Sequence, residues 1–222
     1  MSIRHGLLLQ VTFRLAASRS DASIDGMLAH AALALSLVVR IYNAYGVVPE
    51  TLTSARESAD RIMTSAGIRV TWVQCPCDAA VGAAELVVRI TSAPPANDSH
   101  ALGFSYVDIT QKGGTLATVF GDRVQSLAHV ADVGEGDLLG RAIAHEIAHL
   151  LLGTRDHTRV GLMRGTWTSI ELANNRPIDW QLSRSDSARL RQALARRLQT
   201  PPSPASVIAV GAEWPPSSVS AE

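Results

Sequence analysis

Three histidines and a glutamate in the stretch AIAHEIAHLLLGTRDHTRVGLMRG (142–165) have the residue types and the spacing of a metal site. His145 and His149 are four residues apart, so on a helix both imidazoles project from one face and can reach one ion. Glu146 follows the first histidine and can reach a water on that ion without being a ligand itself. The pattern predicts a hydrolytic metal site in which Glu146 is the general base.

Completion of this site requires a ligand from beyond the helix. Catalytic zinc sites use three protein ligands and keep one position open for water. Gly153 can end the helix, because glycine most easily adopts the left-handed conformation found at helix ends. His157 follows four residues after the glycine and is the predicted third ligand. Asp156, its neighbour, and Glu171, farther along the chain, are the alternatives.

The motif also has an interpretation without a metal, in which three unrelated histidines lie on or near a buried helix. The residues on both sides of Glu146 are mostly apolar, as AIAHEIAHLLLG shows. A carboxylate buried among apolar side chains is costly unless it has a partner. The spacing and the buried glutamate together favour the metal site.

The same stretch resembles the metzincins, zinc endopeptidases marked by HExxHxxGxxH and a later methionine turn. The residues that match this pattern are His145, Glu146, His149, Gly153 and His157. The following GLM supplies Met163 for the turn, for which a plain core methionine is the alternative. In the metzincin pattern the glycine and the third histidine come at three-residue steps, whereas here each step is four. The stretch is similar to a group of exported bacterial metzincin-like proteins of uncharacterised function.

This resemblance implies a fold, a cofactor and an activity. The implied fold is α/β (α+β), a zincin-like mixed sheet with an active-site helix and a C-terminal helix. An antiparallel edge strand, either 102–109 or 115–120, would lie above the active-site helix and pair with an extended peptide. The implied cofactor is Zn²⁺, and the implied activity is hydrolysis of peptide bonds by a water that Glu146 activates. An inactive zinc-binding or scaffold protein with the same fold is the alternative.

Periodicity along the chain predicts the elements around this site. Segment 49–66 opens with a proline, places its apolar residues on one helical face and closes at Gly67, which is typical of a helix. β-branched and alternating runs predict strands. The predicted strands are 38–45, 68–74, 84–92, 102–109 and 115–121. The later predicted helices run from about Asp137 to Gly153 and from Ser183 to Gln199.

One domain is predicted between two segments of different composition. The chain has 222 residues, of which 46% are hydrophobic, and this suits a single catalytic domain over residues 38–199. Residues 1–37 are predicted to be a leader or signal-like segment. Residues 200–222 are rich in proline and serine and are predicted to be a disordered tail.

An apolar run at 27–39, preceded by several arginines, suggests export. It is too short to span a bilayer comfortably, since that takes about 20 residues, but it has the length of a signal-peptide core. We therefore expect a secreted or periplasmic protein, or one loosely associated with a membrane through this run. A disordered extension followed by a buried helix is the alternative.

The charge balance excludes several partners. Basic and acidic residues number 20 each and no long basic run occurs, so neither nucleic acid nor an acidic membrane surface is expected as a partner. The expected partner is a peptide or protein substrate. Cys75 and Cys77 are predicted to be free or partly buried thiols, because a bridge over so short a connection would be strained.

Overall fold

The computed structural model describes residues 35–75, 81–82, 85–94 and 100–199, in which strands and helices alternate along the chain. The strands are β1 (Leu35–Asn43), β2 (Ile68–Cys75), β3 (Glu85–Thr91), β4 (Gly103–Asp108) and β5 (Gly113–Phe120). The helices are α1 (Pro49–Ser65), α2 (Gly121–Ala131), α3 (Glu135–Leu152), α4 (Ser169–Asn174) and α5 (Arg184–Gln199), and a 3-10 turn spans Pro177–Trp180.

The strands pair in one five-stranded sheet in the order β2-β1-β3-β5-β4. Neighbours are parallel from β2 to β5, and β4 alone runs antiparallel, against β5. Val38 pairs with Thr71 on one side and with Glu85 on the other, so the first three predicted strands share one sheet. The predicted mixed α/β sheet is confirmed, and β4 is its antiparallel edge strand.

Helices α1 and α3 pack against each other and against the sheet. The predicted apolar face of α1 is buried, and it consists of Leu52, Ala55, Ala59, Ile62 and Met63. Two glycines of α3 permit the close approach. A Cβ at Gly140 would clash with the backbone of Ala55, and a Cβ at Gly136 would lie 2.6 Å from the side chain of Ser54. Because α3 packs closely on both α1 and the sheet, its position relative to the strands is fixed.

Strand β1 begins at Leu35, earlier than the predicted start at Val38. Leu37 and Ile41 have no exposed surface, as expected for a parallel strand with a neighbour on each side. The apolar run at 27–39 therefore shares its last residues with the sheet.

The structure does not test the predicted domain boundaries or the predicted export, and these stay predictions. Most of the leader-like segment (1–34) and the predicted tail (200–222) lie outside the described residues. Within the described ranges, no helix combines the length and the apolar character needed to cross a membrane.

Sequence periodicity did not predict α2 and α4. Helix α2 buries only small or β-branched side chains, Val124, Ala128 and Ala131, besides its first residue Gly121, so its apolar stripe is weak. Helix α4 has six residues, fewer than two helical turns, and buries Leu172 alone. Neither helix has enough apolar positions to show the helical period.

The prediction of free thiols is wrong for Cys75, which is disulfide-bonded. Cys77, the chain's other cysteine, lies outside the described residues.

Candidate metal centre

Helix α3 carries two of the predicted ligands. The helix runs without interruption from Glu135 to Leu152, so His145 and His149 lie one turn apart on the same face. Their Nε2 atoms are 3.0 Å apart, and the two residues are 7% and 5% exposed. Two imidazole nitrogens thus meet at one buried point.

His157 brings a third nitrogen to that point. Helix α3 ends at Gly153, whose φ of 65° is left-handed, and the chain turns there. The Nε2 atom of His157 lies 3.3 Å from Nε2 of His149. The ligand atoms of all three histidines lie within 4.8 Å of one another. The four-residue steps of this sequence therefore assemble the predicted three-histidine group.

The two alternative ligands are engaged elsewhere. Oδ2 of Asp156 accepts a hydrogen bond from Oγ1 of Thr154 at 2.7 Å. Glu171 caps helix α4 by accepting from the backbone N–H of Thr168 at 2.9 Å, and it also pairs with Arg164. Among the described residues, the group that could hold a metal includes neither carboxylate.

Hydrogen bonds on the far side of the His145 and His149 rings determine which nitrogen of each faces the cluster. Nδ1 of His145 lies 2.9 Å from the carbonyl oxygen of Leu162, and Nδ1 of His149 lies 2.8 Å from that of Thr154. A carbonyl oxygen can only accept, so both Nδ1 atoms donate and both Nε2 atoms keep their lone pairs. Metal-bound histidines almost always donate their other ring N–H in this way.

The inward nitrogens are suited to share a cation. Burial lowers the pKa of His145 to about 3 and also lowers the pKa of His149, so both rings are neutral near pH 7. Two lone pairs that face each other at 3.0 Å with no hydrogen between them repel. Tetrahedral zinc with Zn–N bonds near 2.05 Å places two ligand nitrogens about 3.3 Å apart. The cluster is therefore a donor set for Zn²⁺, the predicted cofactor.

Glu146 projects from α3 toward the edge strand β4. Its Oε2 accepts a hydrogen bond from Oγ of Ser105 at 2.7 Å, and the residue is 5% exposed. Burial raises the pKa of Glu146 to about 7, although the hydrogen bond from Ser105 acts in the opposite direction. The predicted general base therefore lies beside the histidine cluster and can exchange a proton near neutral pH.

A cavity of about 1150 Å³ opens in front of the histidines. Its walls come from β4, from α2 and α3, and from the segment that follows α3. All four predicted site residues line it: His145, Glu146, His149 and His157. The metal centre therefore faces a cleft large enough to admit a peptide segment.

Sequence reasoning missed several residues that support the site. Trp167 packs edge-on against His145 with ring centroids 5.6 Å apart, and Trp180 packs against Trp167 at 5.5 Å. Ser105 contacts Glu146 from another strand. No local spacing connects these residues to the motif, because their contacts arise only when distant segments pack. The one available signal was the position of Trp167 just after the GLM turn.

The GLM segment lies directly behind the cluster. Its Leu162 supplies the carbonyl that orients His145, and Met163 is 2% exposed. Gly161 has a φ of 76°, and a Cβ there would lie 2.7 Å from the carbonyl oxygen of Gln181. The segment is therefore closely packed, and its backbone contacts a predicted metal ligand.

Comparisons with solved structures agree with this architecture. No protein-family model and no curated protein sequence matches the chain. The crystal structure of archaemetzincin from Methanopyrus kandleri is similar with a TM-score of 0.51 and 15% identity, over 72% of this chain and 97% of that one. The crystal structure of a zinc-dependent peptidase from Methanocorpusculum labreanum matches with a TM-score of 0.47 and 14% identity, over 68% and 99%.

The sheet, the histidine helix and the likeness to the archaemetzincin structure define a zincin-like fold, as the sequence predicted. The chain shares this fold with the archaemetzincin structure. An identity of 15% establishes the common fold and leaves activity to the chemistry of the site.

Substitution of Gly153 by alanine is expected to weaken both the fold and metal binding. A non-glycine residue in the left-handed region costs about 1–2 kcal/mol, and a Cβ at Gly153 would also clash with the backbone of Lys112. We expect a loss of more than about 2 kcal/mol in the free energy of unfolding, measured with urea. Zinc affinity should also fall, because the chain that carries His157 leaves the helix at this residue.

Gly46→Ala is the matched control for this substitution. Gly46 has a φ of 82° but nothing within 4 Å of an added Cβ, so the change carries the backbone cost alone. It should leave zinc affinity unchanged. Equal losses of stability in both variants, with zinc affinity intact in both, would show that the helix end does not position His157.

Proposed function

We propose that this protein is a zinc-dependent peptidase of metzincin type. The observation that carries the proposal is the junction of three elements in one cleft: a three-histidine donor set, a glutamate beside it, and an antiparallel edge strand. A donor set alone would suit a storage or structural site. A general base and a strand edge beside it suit hydrolysis of an extended chain.

Strand β4 is the proposed binding site for the substrate backbone. Of the two candidates from the sequence, 115–120 falls in β5, which has neighbours on both sides, whereas 102–109 contains β4 at the edge. Residues Gly103 to Val107 of this strand line the cavity. An extended peptide added beside β4 would run along the cleft past the histidines, with backbone hydrogen bonds that are tolerant of sequence.

The chemistry divides between the metal and Glu146. Bound zinc supplies Lewis acidity, which lowers the pKa of water to about 7 and polarises the scissile carbonyl. Glu146 takes a proton from the attacking water while the water oxygen bonds to the carbonyl carbon. When the C–N bond breaks, Glu146 gives that proton to the leaving amine. The three histidines keep the ion in place, and their Nδ1–H bonds to Leu162 and Thr154 orient two of the rings.

The segment Gly161–Gly165 is the proposed counterpart of the metzincin methionine turn. Support comes from the burial of Met163 and from the hydrogen bond between the Leu162 carbonyl and His145. The backbone of the turn is held by Thr158, whose N–H donates to the carbonyl of Met163 at 2.8 Å. In this proposal the turn limits the movement of the first ligand.

Digestion of a peptide library tests the proposed activity. Purified, zinc-loaded protein is expected to cut a subset of peptides, to lose this activity with a zinc chelator such as 1,10-phenanthroline, and to regain it when zinc is added back. Mass spectrometry of the products identifies the bonds cut. A protein that binds zinc at one ion per chain yet cuts no peptide would instead be the zinc-binding scaffold of the same fold.

A further inference from the structure

The two carboxylate oxygens of Glu146 have different surroundings. Oε2 accepts the hydrogen bond from Oγ of Ser105 at 2.7 Å. Oε1 faces Gly103, where an added Cβ would lie only 3.0 Å away. Within the described part of the chain, no hydrogen bond from another residue reaches Oε1. One oxygen is therefore held by the edge strand, while the other faces a position without a side chain.

Ser105 is itself firmly placed. It lies in β4 opposite Ala117 of β5, and the strand pairing becomes irregular between Ser105 and Val107. Irregularities of this kind often occur beside active sites, where they redirect a side chain. The Ser105 hydroxyl also lies 2.8 Å from the carbonyl oxygen of Glu146, so it contacts both the backbone and the side chain of one residue.

We propose that Ser105 is a positioning residue, which holds Oε2 of Glu146 so that Oε1 is the oxygen that exchanges the proton. This inference rests on the proposed peptidase function and deepens it. Among the described residues, both hydrogen-bond partners of the Ser105 hydroxyl are atoms of Glu146 and neither is a histidine, so Ser105 acts through Glu146 and not through the metal.

The arrangement is compatible with both steps of the proton transfer. When Oε1 takes a proton, the O–H bond of water breaks and the water oxygen bonds to the carbonyl carbon, while the π electron pair of the C=O bond moves to the carbonyl oxygen. Oε2 is then the carbonyl oxygen of a carboxylic acid, which still accepts from Ser105. When Oε1 returns the proton to the amine nitrogen, Oε2 remains an acceptor. The same hydrogen bond therefore holds Glu146 through the whole cycle.

The position of Ser105 also connects the base to the substrate. Strand β4 would pair with the peptide backbone and would also hold the side chain of Glu146. One strand would therefore set the position of the substrate and of the base. A displacement of about 1 Å at a reacting group can cost on the order of 100-fold in rate. Ser105 should therefore affect kcat far more than KM.

Three variants of the full chain test this inference. Ser105→Ala removes the hydroxyl, Ser105→Thr keeps it, and Ser36→Ala removes an exposed hydroxyl of β1 that does not line the cavity. With a peptide that the wild type cuts, Ser105→Ala is expected to lower kcat by about 10- to 100-fold with KM within about threefold. Ser105→Thr should recover most of the loss, Ser36→Ala should match the wild type, and all should hold one zinc per chain.

Crystal structures of zinc-loaded wild type and Ser105→Ala give a readout that does not depend on turnover. Glu146 should occupy one position in the wild type and should move or spread over several positions in the variant. A wild type that cuts no peptide would contradict the proposed function, and these structures would still decide the role of Ser105. The inference is overturned if Glu146 keeps its place in Ser105→Ala, if that variant keeps its kcat, or if threonine restores nothing.

Discussion

Glu146→Gln is expected to reduce peptide cleavage by about 10²–10⁴-fold and to leave zinc in place. Glutamine has the same shape as glutamate, and its carbonyl oxygen can still accept the hydrogen bond from Ser105. It cannot take a proton from water, so the attack loses its base. Single-turnover rates on a cleavable peptide, together with zinc content by elemental analysis, measure both parts of this expectation.

Glu57→Gln is a matched control, because Glu57 lies on the exposed side of α1 and does not line the cavity. It should keep full activity. If Glu146→Gln cut peptides at the rate of the wild type, Glu146 would not be the general base. Another group in the cleft would then have to take the proton from water.

The core of the site could be predicted from the sequence because a helix converts spacing into geometry directly. His145 and His149 are one turn apart wherever α3 is placed, and Glu146 is necessarily their neighbour. The sequence left three possible third ligands, because the path after a helix depends on its last residue. Gly153 ends α3 in a left-handed conformation, and this direction brings His157, and not Asp156, to the cluster.

The supporting residues could not be predicted, since they depend on the order of the strands in the sheet. Ser105 reaches Glu146 only because β4 pairs on the outside of β5, which is a contact between segments 41 residues apart. The sequence offered 102–109 and 115–120 as equal candidates for the edge strand. Neither run shows in its sequence whether it will have one neighbouring strand or two, and only pairing decides which one keeps a free side.

The start of the domain illustrates a similar limit. The apolar residues before Val38 led to the prediction of a leader. A signal-peptide core and a buried parallel strand are both short apolar runs, so the sequence is compatible with either. The structure places Leu35 to Leu37 in β1, where they pair with Ile68 to Val70 of β2. Composition alone does not separate the two kinds of run, and the export of the chain stays a prediction.

His149→Ala is expected to lower zinc affinity by more than about 100-fold, since loss of a group that only orients a ligand already costs 10–100-fold. Nε2 of His149 lies 3.0 Å and 3.3 Å from the Nε2 atoms of His145 and His157, so its removal leaves the two outer rings without their common neighbour. His157→Ala should behave in the same way. Asp156→Ala should bind zinc like the wild type, because its carboxylate contacts Thr154 and not the cluster.

Metal titration followed by thermal unfolding measures this series. A ligand that binds only the folded state raises the free energy of unfolding by RT ln(1 + [L]/Kd). Zinc should therefore raise the Tm of the wild type and of Asp156→Ala. At the same zinc concentration the Tm of His149→Ala and of His157→Ala should hardly change. If Asp156→Ala lost the zinc-dependent shift while His157→Ala kept it, the third ligand would be the aspartate. The loop after Gly153 would then have to adopt a different path in the zinc-bound protein, since the ring of His157 occupies that position in this structure.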